Sequence, residues 1–397
     1  MTREQAFFFQ VLRDYLHERP TEKPADLDVA GVCLWAEPHK LSGIFFAQCG
    51  PLLDQSSAVY EQLQRAFGAS VFQSATRGAD DAALRGAFVE AGIPFLPIKG
   101  AVIASVYPDP QLRTMGDLDI LVHAEDSERI RDVLSPLGFQ NIKWAETEWD
   151  YRRNNTLFEL QAELFHTGEL HNRELEAFLN DPWSWAEPTA SGEYRLDQSF
   201  HFLYLIAHIA KHLRWVGVGY RQFYDLAVLM QRSRESYDWN WIREQAERLD
   251  FLRFVEICLA LNERWFGVPS PYPTDELTDD LFENVSNKIF ADGVFGFDNK
   301  ENRIHALTRL QDCGDQIRFS TRIKATFHYL FPPYRELATS AKYSYLRGRR
   351  WLLPVAWISR ILRSKRKTSN LQQINVLLTA SEADAEKQLN ELKELGL

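Results

Sequence analysis

The stretch IKGAVIASVYPDPQLRTMGDLDILV, residues 98–122, decides how this chain is read. Its last six residues, DLDILV (117–122), alternate in a largely apolar setting and predict a strand. Asp117 and Asp119 are one residue apart there, so on a strand both carboxylates point to one face. Two carboxylates side by side repel each other and resist burial unless a cation sits between them. A divalent metal is the usual resolution, and hard oxygen ligands suit Mg2+ or Mn2+. Upstream, IPFLPI (93–98) is short, apolar and β-prone, and it ends at Lys99-Gly100. AVIASVY (101–107) reads as a short helix closed by Pro108 and Pro110. Glycine at such a strand-to-helix turn lets backbone N–H groups approach a phosphate, and a helix N-terminus favours an anion. Lys99 adds a positive charge, and Arg113, four residues before Asp117, can reach the same anion.

Working outward, SERIRDVLSPLGF (127–139) predicts a helix with Ser127 as N-cap and Gly138 as stop. TLFELQAELF (156–165) predicts another strand. The order strand, helix, strand, helix, strand places an α/β or α+β sheet in the middle of the chain. Residues 1–90 read as helical. Phe7, Phe8, Val11, Leu12 and Tyr15 share one helix face, and apolar-periodic segments recur near 28–36, 41–49, 58–72 and 79–91, the last stopped by Gly92. From about 198 the pattern is helical again, in HFLYLIAHIAKHL, RQFYDLAVLMQ, NWIREQAERL and RFVEICLALNERWF, with short connections as in a bundle. The expected division is a helical region at 1–90, an α/β core at 91–195, a helical domain at 196–335, and a basic amphipathic stretch with a charged tail at 336–397.

The 397 residues are 45% hydrophobic and 25% charged, which argues against wholesale disorder. The four cysteines are scattered, with no C-x-x-C, which argues against a disulfide scaffold or a cysteine zinc site. The N-terminal apolar run carries charges, unlike a signal peptide, and no uncharged apolar run approaches the ~20 residues of a membrane span. Together these features lead to an expected cytoplasmic location. The net charge of −10 is unevenly spread: residues 318–367 hold 13 Lys or Arg and one acid. An acidic body with one basic stretch suggests an anionic partner there, or docking of the stretch on the body.

The K-G … R-x-x-x-D-x-D-x-L-V pattern resembles the polymerase-β-like nucleotidyltransferase superfamily, and more narrowly a bacterial group of nucleotidyltransferase family proteins. The resemblance extends loosely over about 25–335, through HIAKHL, YRQFYDLA and DWNWI. It implies an α+β fold, a small nucleotidyltransferase sheet core flanked by N-terminal helices and a C-terminal helical domain. It also implies metal-dependent transfer of a nucleoside monophosphate from an NTP, by default ATP, to an acceptor hydroxyl, with release of pyrophosphate. By the same resemblance, Asp117 and Asp119 hold the metals, and Lys99-Gly100 lies beside the phosphates. A third carboxylate is then required on a neighbouring strand. Glu159 and Glu163 share a face of TLFELQAELF with the uncharged Gln161. Glu163 is the expected choice, because members often show an acidic residue, Leu and His here. In this chain the run is Glu163-Leu164-Phe165-His166, with the His displaced by one. The alternative from another class is a catalytically inactive nucleotide-binding scaffold of a biosynthetic complex, in which Glu159 and Glu163 would both turn from the Asp pair.

His201, His208 and His212 share one helix face; packing, substrate contact and metal binding are all compatible with that spacing. Arg221 and Asp225 are spaced for an ion pair within a helix, and Lys211 and His123 have no assigned role. The stretch RGRRWLLPVAWISRILRSKRK (347–367) has an apolar centre too short to span a bilayer. It reads as a helix packed on the acidic body, as a weak membrane-surface contact, or as a nucleic-acid contact. The acidic balance and the absence of an aromatic-basic RNA module argue against a nucleic-acid polymerase.

Overall fold

The computed structural model describes residues 1–190, 192–292, 319–334, 337, 341–346, 348–364 and 389–397. The charged tail expected after about 379 falls largely outside the described residues, as does Cys313.

Helix α1 (Arg3–Leu16) starts at a capping box between Thr2 and Gln5 and buries Phe7, Phe8, Val11, Leu12 and Tyr15, the face expected from spacing. Short helices α2 (Val29–Leu34) and α3 (Ser42–Cys49) follow. The segments expected at 58–72 and 79–91 are one helix, α4 (Ala58–Ala91), ended by Gly92 in the left-handed region at φ 63°. The polar run QSATRG (73–78) interrupts the apolar period but contains no proline, so the backbone ladder continues through it.

The sheet has five strands in the order β1-β2-β5-β4-β3: β1 (Phe95–Pro97), β2 (Leu118–Val122), β3 (Gln140–Trp144), β4 (Glu148–Arg153) and β5 (Thr156–Gln161). Strands β2 and β5 run parallel, and the other neighbours are antiparallel. Between β1 and β2 lies the one-turn helix α5 (Gly100–Ile103), and α6 (Ser127–Leu134) crosses from β2 toward β3. Ser127 is not the N-cap that sequence suggested. A 3-10 turn at Ala124–Asp126 runs straight into α6, and the Ser127 N–H is already donated to Ala124 O. Strand β5 also stops short of the expected Phe165. After Gln161 the chain turns away, and the N–H groups of Leu164 and Phe165 donate to the Asn180 side chain instead of a ladder.

One sheet face, with Ile120, Val122, Trp149, Tyr151, Phe158 and Leu160, packs on Leu84 and Phe88 of α4 and Ile130 and Leu134 of α6. The buried Asp80 of α4 ties the β4–β5 turn to this layer by accepting from Thr156 Oγ1 at 2.7 Å and Asn154 Nδ2 at 2.8 Å. The opposite face looks toward helices that follow α7 (Arg173–Leu179) and the small hairpin of β6 (Ala186–Pro188) and β7 (Tyr194–Leu196). These are α8 (Gln198–Trp215), α9 (Tyr220–Arg232), α10 (Trp239–Arg248), α11 (Leu252–Phe266) and α12 (Asp279–Asp292). They share one continuous apolar core with α1–α3: Phe8, Phe9, Phe45, Tyr220, Trp265 and Phe266 all belong to it. The sheet is thereby held against α8 and α9, and the cleft between them contains the carboxylates of β2.

Candidate active site

The turn after β1 is built around Lys99, a non-glycine residue at φ 49°, ψ −121°. That conformation is costly for a side-chain-bearing residue and persists only when its surroundings hold it. Two contacts do so. The Lys99 N–H donates to His201 Nε2 at 3.1 Å, and its ammonium lies 2.6 Å from Asp119 Oδ1. His201 belongs to α8, so this helix fixes the turn; burial, with Lys99 adding to it, lowers the His201 pKa to about 4, so the imidazole is the neutral acceptor this bond requires.

Register places the third acidic group. Asp119 pairs with Glu159 across the parallel β2–β5 ladder, and Glu159 pairs with Asp150 across β5–β4. Three carboxylates therefore stand abreast on the cleft face, while Asp117, expected within the strand, lies in the segment just before β2, which begins at Leu118. Oxygens of Glu148, Asp150 and Glu159 lie within 4.8 Å of one another. Glu163 stands apart: it follows the end of β5, its side chain is 45% exposed, and it approaches His166 at 4.0 Å. Register thus sets Glu159 beside Asp119, while Glu163, expected on the same strand face, lies beyond the strand because β5 ends two residues earlier.

Burial raises Asp117 above the usual carboxylate range, and Asp119 adds to it, while Lys99 and Arg221 pull the other way. Burial also lifts Glu159 to about 7; Asp119, Glu148 and Asp117 push it up and Lys99 opposes. Asp150 is raised to about 6, again chiefly by burial. Lys99 remains charged: burial opposes its ammonium, but Asp119 and its other neighbours outweigh that cost and raise its pKa.

Gly100 and Arg113 are brought together, though in another arrangement than sequence suggested. A Cβ on Gly100 would sit 2.8 Å from Arg113 Nη1 and Met115 Sδ, so the missing side chain makes room for these two residues. Arg113 is not a free arm toward an anion. Its Nε and Nη2 donate at 2.8 Å each to Asp225 of α9, a bidentate pair. Tyr107 donates to Asp225 at 2.6 Å, and Arg221 approaches it at 3.8 Å. The Arg221–Asp225 spacing expected within a helix is therefore one edge of a buried network joining α9 to the segment before β2. Two contacts unforeseen in sequence hold that segment: Arg77 of α4 donates to Met115 O at 2.8 Å, and Arg221 to Thr114 O at 3.4 Å.

These groups line a cavity of about 450 Å³ that includes Lys99, Gly100, Arg113, Asp117, Asp119 and Glu159, with Leu205, Ile209 and Trp215 of α8 opposite. His208 and His212 also line it, their Nε2 atoms 2.8 Å apart. Burial holds His208 well below the usual imidazole range and brings His212 to about 3, so the two share a hydrogen bond as neutral rings. Lys211 pairs with Glu169 at 2.9 Å, and His123, beyond the end of β2, stacks on Trp183 at 4.1 Å. A second cavity of about 340 Å³ adjoins the first and shares Glu159, Glu169 and Lys211 with it.

A family described as uncharacterised nucleotidyltransferases matches residues 26–267. The chain belongs to that family. The matched span of this nucleotidyltransferase family runs from just before α2 to the end of α11, so it contains every residue of the cleft described above. No curated protein and no solved structure matches the chain. Membership supports nucleotidyl transfer in general, and the cleft supplies the oxygen-rich face on which such a reaction could be run. Strand β4, which brings Glu148 and Asp150 to that face, was missed in sequence because EWDYRR mixes charge on both sides. Its signal was the alternation of Trp149 and Tyr151 against Glu148 and Asp150.

Proposed function

We propose that this protein is a metal-dependent nucleotidyltransferase of polymerase-β-like design, moving a nucleoside monophosphate from an NTP, by default ATP, to an acceptor hydroxyl. The observation that carries this reading is the register of β2 and β5, which sets Glu159 directly beside Asp119 in a cavity that also holds Asp117 and Lys99. The donor set is all hard oxygen, and the raised proton affinities of Asp117 and Glu159 come first from burial and then from the carboxylates around them, a cost that a bound cation would offset. By donor type these residues suit Mg2+ or Mn2+, with Asp117, Asp119 and Glu159 as the groups that would hold it and Glu148 and Asp150, whose oxygens lie within 4.8 Å of those of Glu159, beside them. When bound, the metal would supply charge neutralisation at the phosphates.

The chain's own groups account for the rest. Lys99 supplies the counter-charge to Asp119 and brings an ammonium to where phosphate oxygens would lie. Glu159, Glu169 and Lys211 line both cavities, and of these Glu159 is the one paired with Asp119, so a donor in the larger cavity and an acceptor in the smaller one would meet at its carboxylate. There it takes the proton of the acceptor hydroxyl. The oxygen forms a bond to the α-phosphorus, the bond from that phosphorus to the β-phosphate oxygen breaks, and pyrophosphate leaves. Arg113, held by Asp225, positions the turn at Gly100 and adds positive potential without moving. A scaffold that only binds nucleotide has no need of a third carboxylate turned toward the Asp pair. The test is transfer of label from α-labelled NTPs to acceptors in a cell extract, with and without Mg2+. Transfer that requires Mg2+ and vanishes in Asp119→Asn supports the reading; Mg2+-independent nucleotide binding with no transfer would reject it in favour of the scaffold.

A further inference from the structure

The segment after the main body carries an apolar face that nothing among the described residues covers. The helix Leu353–Ser364 follows a 3-10 turn at Arg350–Leu352. Its inner side is anchored. Ala356 is fully buried, and Trp357 donates from Nε1 to Pro332 O at 2.8 Å and sets its ring edge-on to Phe331. Ala356 closes a small core with Leu337, Tyr343 and Leu346. The outer side is Trp351, Val355 and Ile358, spaced i, i+4 and i+7, with 76%, 53% and 59% of their surface exposed. Other exposed large apolar residues, such as Leu34 on α2 and Phe72 and Val89 on α4, lie on other elements, the last two 17 residues apart. Arg349 and Arg350 are exposed beside the turn. In sequence, residues 347–367 hold eight Arg or Lys and no acid, within a chain whose net charge is −10.

We infer that this helix lies in the interface of an anionic lipid bilayer, with Trp351, Val355 and Ile358 in the headgroup–acyl boundary and Arg349 and Arg350 on the lipid phosphates. Its twelve residues are too few to span a bilayer but sufficient to lie along its surface. Packing on the acidic body would have covered the apolar face, and among the described residues that face is open. A nucleic-acid backbone would attract the same cations but offers nothing to an exposed row of Trp, Val and Ile. Charge and apolarity together match only a surface that is anionic outside and apolar just beneath. The two tryptophans divide the work, Trp357 holding the helix to the protein and Trp351 facing outward.

The experiment is sedimentation of the full chain with vesicles of phosphatidylcholine alone or mixed with phosphatidylglycerol, at low and high salt, beside the variant Trp351→Ala/Ile358→Asp. Both substitutions are on exposed side chains, and unchanged thermal unfolding of the variant certifies its fold. The protein is expected to sediment with the anionic vesicles, to be released by salt, and to lose binding about tenfold or more in the variant. Equal partitioning on neutral and anionic vesicles, undiminished binding by the variant, or binding to RNA but not to vesicles would overturn the inference. Nucleotide transfer is read separately and does not enter this outcome.

Discussion

At the scale of single residues, the site is a contest between burial and charge. Glu159 has more affinity for a proton in the folded protein than in the unfolded chain, where its pKa is near 4.5. Between about 4.5 and about 7 the folded state therefore holds more protons, and stability falls as pH rises through that window. Above 7 the loss is complete and constant. In protein treated with a chelator, Glu159→Gln is expected to leave thermal stability unchanged near pH 4.5 and to raise it above pH 7, by on the order of 2 kcal/mol. The measurement is chemical denaturation of both proteins across pH. A wild type as stable at high pH as the variant would mean that the carboxylate is not under this strain. Lys99 shows the same economy. Its unfavourable backbone at φ 49° is maintained by His201 on one side and Asp119 on the other, so the turn and the carboxylate face are set by the same residue.

At the scale of elements, what sequence revealed depended on how locally each feature is encoded. The strand that carries Asp119, the Gly92 stop and the helix faces of α1, α8 and α9 follow from spacing alone. The end of β5 does not, because it is decided by Asn180, 19 residues beyond Gln161, which takes the N–H groups of Leu164 and Phe165. Asp225 was legible only as a partner of Arg221; its stronger partner, Arg113, is 112 residues away. The fork between them ties α9 to the loop that delivers Asp117. Asp225→Ala leaves the buried Arg113 without its bidentate partner and is expected to cost about 3–5 kcal/mol. Equilibrium unfolding reads this directly, and a loss below 1 kcal/mol would mean that the pair is not what joins the two elements.

At the scale of the whole molecule, the helices before and after the sheet form one apolar mass, and the sheet is held on its flank. This arrangement leaves a cleft whose floor is acidic and whose opposite wall carries neutral histidines and apolar residues. No helix among the described residues is long and apolar enough to cross a membrane. The basic segment and the carboxylate cleft are separate features of the chain: one is anchored through Pro332, Phe331 and Tyr334, the other through β2, β5 and α8. Variants of one are therefore expected to leave the other intact, and additivity between them is the ordinary result for distant sites.

The most direct test of the account compares Glu159→Gln with Glu163→Gln in Mg2+-dependent transfer from α-labelled NTP. The account predicts a loss of at least about 100-fold for Glu159→Gln and activity within a few-fold of wild type for Glu163→Gln. The reverse ranking, or two equally active variants, would contradict the assignment of Glu159 as the third carboxylate of the site.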